Sequence, residues 1–305
     1  MSAGEASAPP EGVQRDVQLA RFATVRTGGR AELFARVDAP ERLVELLAWA
    51  RRQEVSVAVL GSGSNVLIAD EGVRGLVLKL EGALAEVELD GTRIVCGAAA
   101  RLPAVATRAA RAGLSGIEFG VNIPGTVGGA VRMNAGAYGG ELAGVLEWVE
   151  IATADGLRRC APEELGLAYR RSALAPNQVV ARAAFALTPA PPQSVKQTLA
   201  QMRSARREAQ PSGIKTFGST FKNPDDSRAG SRTAGELLAA VGCNGLQIGG
   251  ARFSPKHANF VENIGGASTA DVVALMAEGR RRVLEHFGVA LEPEVQLLGA
   301  LRFPW

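Results

Sequence analysis

Apolar residues recur at helical spacing in several long stretches and cluster in short runs elsewhere, which predicts a chain of mixed helix and strand. From Asp38 to Glu54, an Asp-Ala-Pro-Glu start precedes Leu43, Leu46, Leu47 and Ala50 on one face, the pattern of a capped amphipathic helix. Val55 to Leu60 follows as a buried strand, and Val66-Leu67-Ile68 resumes a strand pattern after an intervening glycine loop. Leu102 to Ala112, stopped by Gly113, predicts a second helix. Ala85–Leu89 and Thr92–Cys96 flank Asp90-Gly91, and Glu147–Thr153 precedes Asp155-Gly156; both dipeptides are hairpin turns. The middle of the chain is therefore expected to be antiparallel sheet, with Gln178–Leu187 as a further strand.

Thr188-Pro189-Ala190-Pro191-Pro192 cannot continue a helix or a central strand, so it is expected to be an interdomain linker. Beyond it lie a helix with Val195, Leu199 and Met202 inward, a capped helix from Thr233-Ala234-Gly235-Glu236 to Gly242, and a long helix from about Thr269 to Gly288. Ala258–Glu262 and Glu294–Leu298 read as short strands, which makes the C-terminal part α+β. The expected division is a flexible tail over 1–12, a first domain over 13–190 and a second over 191–305.

The 305 residues suit two domains, and a hydrophobic share of 47% with only 5% aromatics means a core of Ala, Val and Leu. A net charge of +3, scattered rather than gathered with aromatics, argues against a nucleic-acid partner. Arginine predominates among the cations, which leaves guanidinium groups for a polyanionic small substrate. Cys96, Cys160 and Cys243 are odd in number and lack metal-ligand spacing, so neither a disulfide framework nor a metal site is expected, and a reducing cytoplasm fits best. Met1–Gly12 has no basic start or apolar core and reads as a tail rather than a signal peptide. No apolar run reaches the roughly 20 residues that cross a bilayer, so no membrane association is expected, and no obligate protein partner is evident.

Two glycine loops carry the first chemistry. In Gly61-Ser62-Gly63-Ser64-Asn65 the third glycine of a dinucleotide-binding G-x-G-x-x-G is absent and a strand, not a helix, follows. The loop reads as a nest of backbone N–H groups for a phosphate, or as a plain turn between strands. The second runs from Gly120 through Asn122, Ile123, Pro124, Gly125, Thr126, Val127, Gly128 and Gly129 to Ala130, followed by Asn134-Ala135-Gly136-Ala137-Tyr138-Gly139. Such glycine density with almost no charge lets backbone approach a flat or phosphorylated ligand. Two loops of this kind point to a bound cofactor more strongly than either alone.

With Thr27-Gly28-Gly29 before these loops, and Tyr169-Arg170-Arg171-Ser172, Gly218-Ser219-Thr220-Phe221-Lys222-Asn223-Pro224 and Glu294-Val295 in order after them, the chain resembles the UDP-N-acetylenolpyruvoylglucosamine reductase family, over about Leu19 to Gly299. The resemblance implies an α+β fold: a two-part FAD-binding domain of the vanillyl-alcohol-oxidase (PCMH) type followed by an α+β substrate domain. It implies FAD held by Ser62 to Asn65 and Ile123 to Gly129, and NADPH as co-substrate. His257 and His286 both lie in the C-terminal half, so the FAD is expected to be non-covalent. No insertion is evident between Ala183 and Pro211, which fits the shorter family type without an additional substrate-closing loop.

The family's reaction places hydride on C3 of an enolpyruvyl ether and a proton on C2, within peptidoglycan precursor synthesis. By motif, Arg170 faces the substrate carboxylate, Ser219 donates the proton to C2, and Glu294 helps to position or relay it. A cation beside the carboxylate stabilises the developing enolate more than the starting alkene. Read without the family, Arg170 is a surface arginine, Ser219 a turn residue capping its own backbone, and Asn223-Pro224 a turn. A strand's period of two puts Glu292 and Glu294 on one face, so periodicity does not choose between them. Lys222 and Asn223 suit the substrate's diphosphate and carbonyl groups, Tyr169 packs on the ligand, and Arg171, adjacent in an extended segment, points away. His257 reads as a structural hydrogen-bonding residue. An FAD-dependent alcohol oxidase of the same superfold and a non-catalytic nucleotide-sugar binding protein are the competing readings.

Overall fold

The computed structural model describes Ala8–Trp305; Met1–Ser7, the larger part of the expected tail, lie outside the described residues. Of the rest of that tail, Pro10 accepts a hydrogen bond from the Val13 N–H, and Arg42 donates to the Glu11 carbonyl. The chain forms two compact units, each discontinuous: 1–17, 31–61 and 74–203 in the first, and 18–30, 62–73 and 204–305 in the second. This differs from a single boundary after Ala190. The proline-rich segment is not an open linker: Thr188–Pro189 pairs with Leu114–Ser115, and Pro192 already opens a helix.

The first unit is built on five antiparallel strands in the order Gly156–Cys160, Leu146–Thr153, Val179–Ala186, Arg93–Gly97, Val87–Asp90. Both expected hairpins form, each displaced by one position. Gly91-Thr92 is the two-residue loop between Asp90 and Arg93, with Gly91 at φ +60°, as a glycine-first turn requires. Likewise Thr153 pairs with Gly156, leaving Ala154-Asp155 at the tip. Helix α1 spans Pro40–Arg52 with Ala39, not Asp38, at the N-cap, and it buries Leu43, Leu46, Leu47, Trp49 and Ala50. Each fully buried leucine contributes about 1.5–3 kcal/mol.

Val57–Val59 pairs in parallel with Val73–Leu80 at the end of a four-stranded sheet whose other members are Arg30–Val37 and Gln14–Gln18. It was expected to be buried, but an edge position leaves Val59 exposed. Helix α2, Leu102–Arg111, presents Val105, Ala106, Ala109 and Ala110 inward, and the 3-10 turn Glu118–Asn122 packs beside it. The approach is close: a Cβ on Gly120 would stand 2.9 Å from Leu102 Cγ. This contact fixes the entry to the second glycine loop, and the short helix α3, Val127–Arg132, continues it over Val179–Ala186.

Helix α4 spans Pro192–Ala209, its residues divided between the units at Arg203. The second unit contains the antiparallel strands Gln247–Ile248, Ala251–Phe253 and Val261–Asn263, helix α5 (Ala234–Ala240) and helix α6 (Thr269–Phe287). The expected strand over Ala258–Glu262 starts later, because Phe260 N–H turns back to the His257 carbonyl. Thr233 and Glu236 form the expected capping box of α5, and Gly288 closes α6 at φ +70°. Val66–Ile68 pairs in parallel with Gln296–Leu298, so Glu294 lies just before that strand rather than in it. No helix of the described residues is long and apolar enough to cross a membrane, and no group of three or more metal-ligating side chains gathers among them. Cys96, Cys160 and Cys243 are buried and unbridged.

Candidate functional site

In the first unit Gly61, where the first glycine loop begins, meets the second loop. A Cβ on Gly61 would lie 2.6 Å from Thr126 Oγ1, and one on Gly128 would lie 2.9 Å from Ala98 Cβ. Backbone bonds brace the second loop from below: Val127 N–H donates to Ala100 O, Gly128 N–H to Ala98 O, and Leu102 N–H to Gly125 O, the first two at 2.8 Å. By contrast, a Cβ on Gly125 or Gly129 would make only ordinary contacts, with Ile123 Cγ2 at 3.8 Å and Thr126 Oγ1 at 3.6 Å, so these two positions are not closed off by packing. Asn122 is buried, and its Nδ2 donates to Met202 O at 2.8 Å and lies 3.1 Å from Tyr138 Oη. Ile123, Pro124 and Ala130 complete the segment, with Ala130 buried.

Arg170 stands against the continuation of this loop. Ala168 and Arg171 exchange both backbone hydrogen bonds at 3.1 Å, so Tyr169-Arg170 forms the tip of a tight turn. The expected extended segment is therefore replaced by a reversal, and Arg170 takes φ +55°. A non-glycine residue there costs free energy that the surroundings must offset. The offset is visible: Arg170 Nη2 donates to Gly136 O at 2.9 Å, and its guanidinium lies 4.8 Å from the ring centroid of exposed Tyr169. Buried Asn134 ties the same parts together, accepting from Ala143 N–H at 3.0 Å and donating to Ala168 O at 3.4 Å. Sequence reasoning gave Asn134 no role; its place among small apolar residues was the available signal.

The second unit gathers Ser62–Asn65, Ser219–Asn223 and Glu292–Glu294. Gly63 takes φ +68°, and a Cβ on it would fall 1.9 Å from the Phe22 carbonyl. Its own carbonyl accepts from Thr24 N–H at 2.9 Å, while the Thr24 hydroxyl donates to Thr216 O at 2.6 Å. The hydroxyls of Ser62 and Ser64 lie 3.0 Å apart. Asn65 Nδ2 donates to Glu294 O at 3.3 Å, and Gln296 N–H returns to Asn65 O at 3.1 Å.

Ser219–Lys222 runs antiparallel to Glu292–Glu294: Glu294 N–H donates to Thr220 O and Lys222 N–H to Glu292 O, both at 2.9 Å, with Phe221 opposite Pro293. Buried Asn259 holds the other side, its Oδ1 accepting from Phe221 N–H at 2.9 Å and its Nδ2 donating to Phe221 O at 2.8 Å. Asn259 was also missed from the sequence, where it stood only as a neighbour of His257. Ser219 thereby shares a rigid ribbon with Glu294. Glu292 turns outward, its carboxylate 76% exposed and 3.4 Å from Lys222 Nζ, whereas Glu294 is partly buried. Asn223 Oδ1 accepts from Ala234 N–H at 3.1 Å at the start of α5. His257 is half-buried, packs edge-on to Phe260, and its Nδ1 accepts from Asn259 N–H at 3.3 Å; burial pushes its pKa down.

Paired glycine loops fit a protein that binds a dinucleotide cofactor, and residues 31–161 match the family model of the FAD binding domain, which makes the class that of a flavin-binding protein. Residues 210–298 match the UDP-N-acetylenolpyruvoylglucosamine reductase C-terminal domain. The chain belongs to the UDP-N-acetylenolpyruvoylglucosamine reductase family. It is 45% identical over 287 residues to the protein of that name from Anaeromyxobacter sp. (strain Fw109-5), covering 94% of this chain and 89% of the relative. It is 42% identical over 306 residues to the namesake from Agathobacter rectalis, covering 95% of each. The crystal structure of UDP-N-acetylenolpyruvylglucosamine reductase from Thermus caldophilus superposes with a TM-score of 0.81 at 38% identity, over 94% of this chain and 98% of that one. The fold is accordingly α+β, with an FAD-binding domain of the PCMH type and a family-specific C-terminal domain. The loops fit FAD: glycine at 125 and 129 keeps the backbone bare where it could face a ligand, while the backs of Gly61 and Gly128 are too crowded to take a side chain.

Proposed function

We propose that the chain reduces the enolpyruvyl ether of UDP-N-acetylglucosamine-enolpyruvate to UDP-N-acetylmuramate, with non-covalent FAD and with NADPH as reductant, in the cytoplasmic synthesis of peptidoglycan precursors. The observation that carries this reading is the backbone pairing of Ser219–Lys222 with Glu292–Glu294. It sets a hydroxyl and a carboxylate, seventy-odd residues apart in sequence, on one braced ribbon.

FAD, when bound along Gly61–Asn65 and Asn122–Ala130, supplies the hydride chemistry between NADPH and the substrate carbon. The remaining work falls to side chains of this chain. Hydride arriving at C3 leaves negative charge on C2 and the carboxylate, and Arg170, fixed by Gly136 and Tyr169, stabilises it where it develops. Ser219 then gives its proton to C2. A hydroxyl is a weak acid, but an enolate carbon is a strong base, and the Glu294 carboxylate helps to position or relay the replacement proton. Lys222 and Asn223 serve the diphosphate and carbonyl groups of the substrate. Engaging Lys222 requires only the loss of a long, exposed ion pair to Glu292, which costs little.

The test is a coupled one. Purified chain reconstituted with FAD is given NADPH and the enolpyruvyl UDP-sugar, and the product is weighed by mass spectrometry. The reading requires NADPH consumption and a product heavier by two hydrogens; NADPH consumption that yields only hydrogen peroxide, with unaltered UDP-sugar, would reject it.

A further inference from the structure

Lys79 lies next to the end of the strand Val73–Leu80, and its ammonium donates a hydrogen bond to the carbonyl of Gly61, the first residue of the first glycine loop. Gly61 is also the residue whose missing side chain lets Thr126 of the second loop approach. Thr126 in turn pairs across an isolated bridge with Arg101, the N-cap of α2. Lys79 and Arg101 therefore flank the Gly61–Thr126 contact within the first unit.

The charge there is unbalanced. Lys79 is half-buried, and its electrostatic neighbours are Arg101, Arg36 and a single acid, Glu81, which already pairs with Arg36. Burial, then the repulsion of Arg101 and Arg36, pushes the Lys79 pKa down; Glu81 offsets only part of this. A lysine is a compact, strongly hydrated charge, so keeping it desolvated beside two guanidinium groups costs free energy in the unliganded protein. An anion bound beside Gly61 and Thr126 would recover that cost. A carbonyl oxygen is a weak substitute for such an anion, and Gly61 is the one Lys79 has.

We propose that Lys79, with Arg101 beside it, is the cationic counterpart of the diphosphate of the bound dinucleotide, and that it gives FAD an affinity over diphosphate-free flavin beyond what loop N–H groups supply. Lys79 is thus a positioning residue for the cofactor, and for Gly61 in its absence. This rests on the FAD reading above, and the test separates the two.

The full-length chain, stripped of flavin, is titrated with FAD and separately with riboflavin, following quenching of flavin fluorescence. The readout is the ratio of the two dissociation constants. Riboflavin carries the same isoalloxazine and the same ring ionisation but no diphosphate. Losing one charge-assisted contact corresponds to about a 10- to 100-fold change, so Lys79→Met should shrink the preference for FAD by that factor and leave riboflavin binding in place. Lys79→Arg should keep most of the preference. In the parent chain the preference should fall as pH rises and Lys79, its pKa lowered below 10.5, loses its proton, and it should fall less in Lys79→Met. A preference unchanged in Lys79→Met, equal weakening of both flavins, or a parent profile no steeper than the variant's would overturn the assignment. If the parent binds no flavin at all, the FAD reading itself falls and takes this one with it.

Discussion

Asn65 Nδ2 donates to the backbone carbonyl of Glu294 at 3.3 Å, and the Asn65 carbonyl accepts from Gln296 N–H at 3.1 Å, so one residue of the first glycine loop grips the backbone on the C-terminal side of Glu294. The Glu294 backbone is consequently held on both groups, its carbonyl by the Asn65 side-chain amide and its N–H by the Thr220 carbonyl. An asparagine is required, because a carboxylate would present only acceptors to the Glu294 carbonyl. Asn65→Asp should slow substrate-dependent reoxidation of the flavin and destabilise the fold by about 1–3 kcal/mol. Denaturant midpoints and single-turnover absorbance check this; a fully active, equally stable Asn65→Asp would remove the placement argument.

Gly61 and Thr126 offer a sharper test of loop contact. Gly61→Ala puts a methyl group 2.6 Å from Thr126 Oγ1, an overlap that costs about 1–3 kcal/mol, and FAD occupancy should drop with it. Removing the obstructing atom with Thr126→Ala should rescue the alanine variant, visible as a favourable coupling in a double-mutant cycle. Gly63→Ala should find no such rescue, because its obstacle is the Phe22 backbone at 1.9 Å. Strictly additive effects of Gly61→Ala and Thr126→Ala would contradict the contact.

Arg170 should not tolerate lysine. A guanidinium can donate to Gly136 O and still present a planar fork to a carboxylate, whereas an ammonium is a single point charge. Arg170→Lys is expected to leave flavin reduction by NADPH near the parent rate and to slow the second half-reaction by roughly 100-fold, the scale of one lost transition-state donor. Equal slowing of both halves would mean that the substitution distorts the turn instead.

His257 sets one pH dependence with a definite sign. Burial holds its folded pKa below 6.5, partly opposed by Glu236, so the unfolded chain protonates first as pH falls. Stability contributed by the neutral ring is full above the unfolded pKa and is lost as pH drops from about 6.5 toward the lower folded value. Protonation also removes the Nδ1 lone pair that accepts from Asn259 N–H. Urea midpoints measured from pH 8 to 5 should fall less steeply in His257→Gln than in the parent; parallel curves would show that His257 does not contribute.

The elements that local pattern specifies were readable in advance. The apolar stripe of Leu43, Leu46, Leu47 and Ala50 gives α1, Gly113 ends α2, and Thr233 with Glu236 caps α5, because each depends on neighbours within one or two turns. What depends on distant partners was not. Val66–Ile68 is a short apolar run like many others, and nothing in it states that its partner is Gln296–Leu298. The reversal at Tyr169-Arg170 was hidden because arginine does not advertise a positive φ as glycine does. The same limit applied at the site: motif order drew attention to Arg170, Ser219 and Glu294, while the buried Asn134, which bonds to Ala168 and Ala143 near Arg170, and the buried Asn259, which bonds to Phe221 near Ser219, act on backbone groups that carry no residue signature.

The central claim is that Ser219 supplies the proton that completes reduction of the enolpyruvyl group. Stopped-flow absorbance of Ser219→Ala, reconstituted with FAD and mixed first with NADPH and then with the UDP-sugar, addresses it most directly. Bleaching of the flavin by NADPH at the parent rate, followed by reoxidation slowed by about 100-fold or more, is the predicted result. Reoxidation by the UDP-sugar at the parent rate would contradict it.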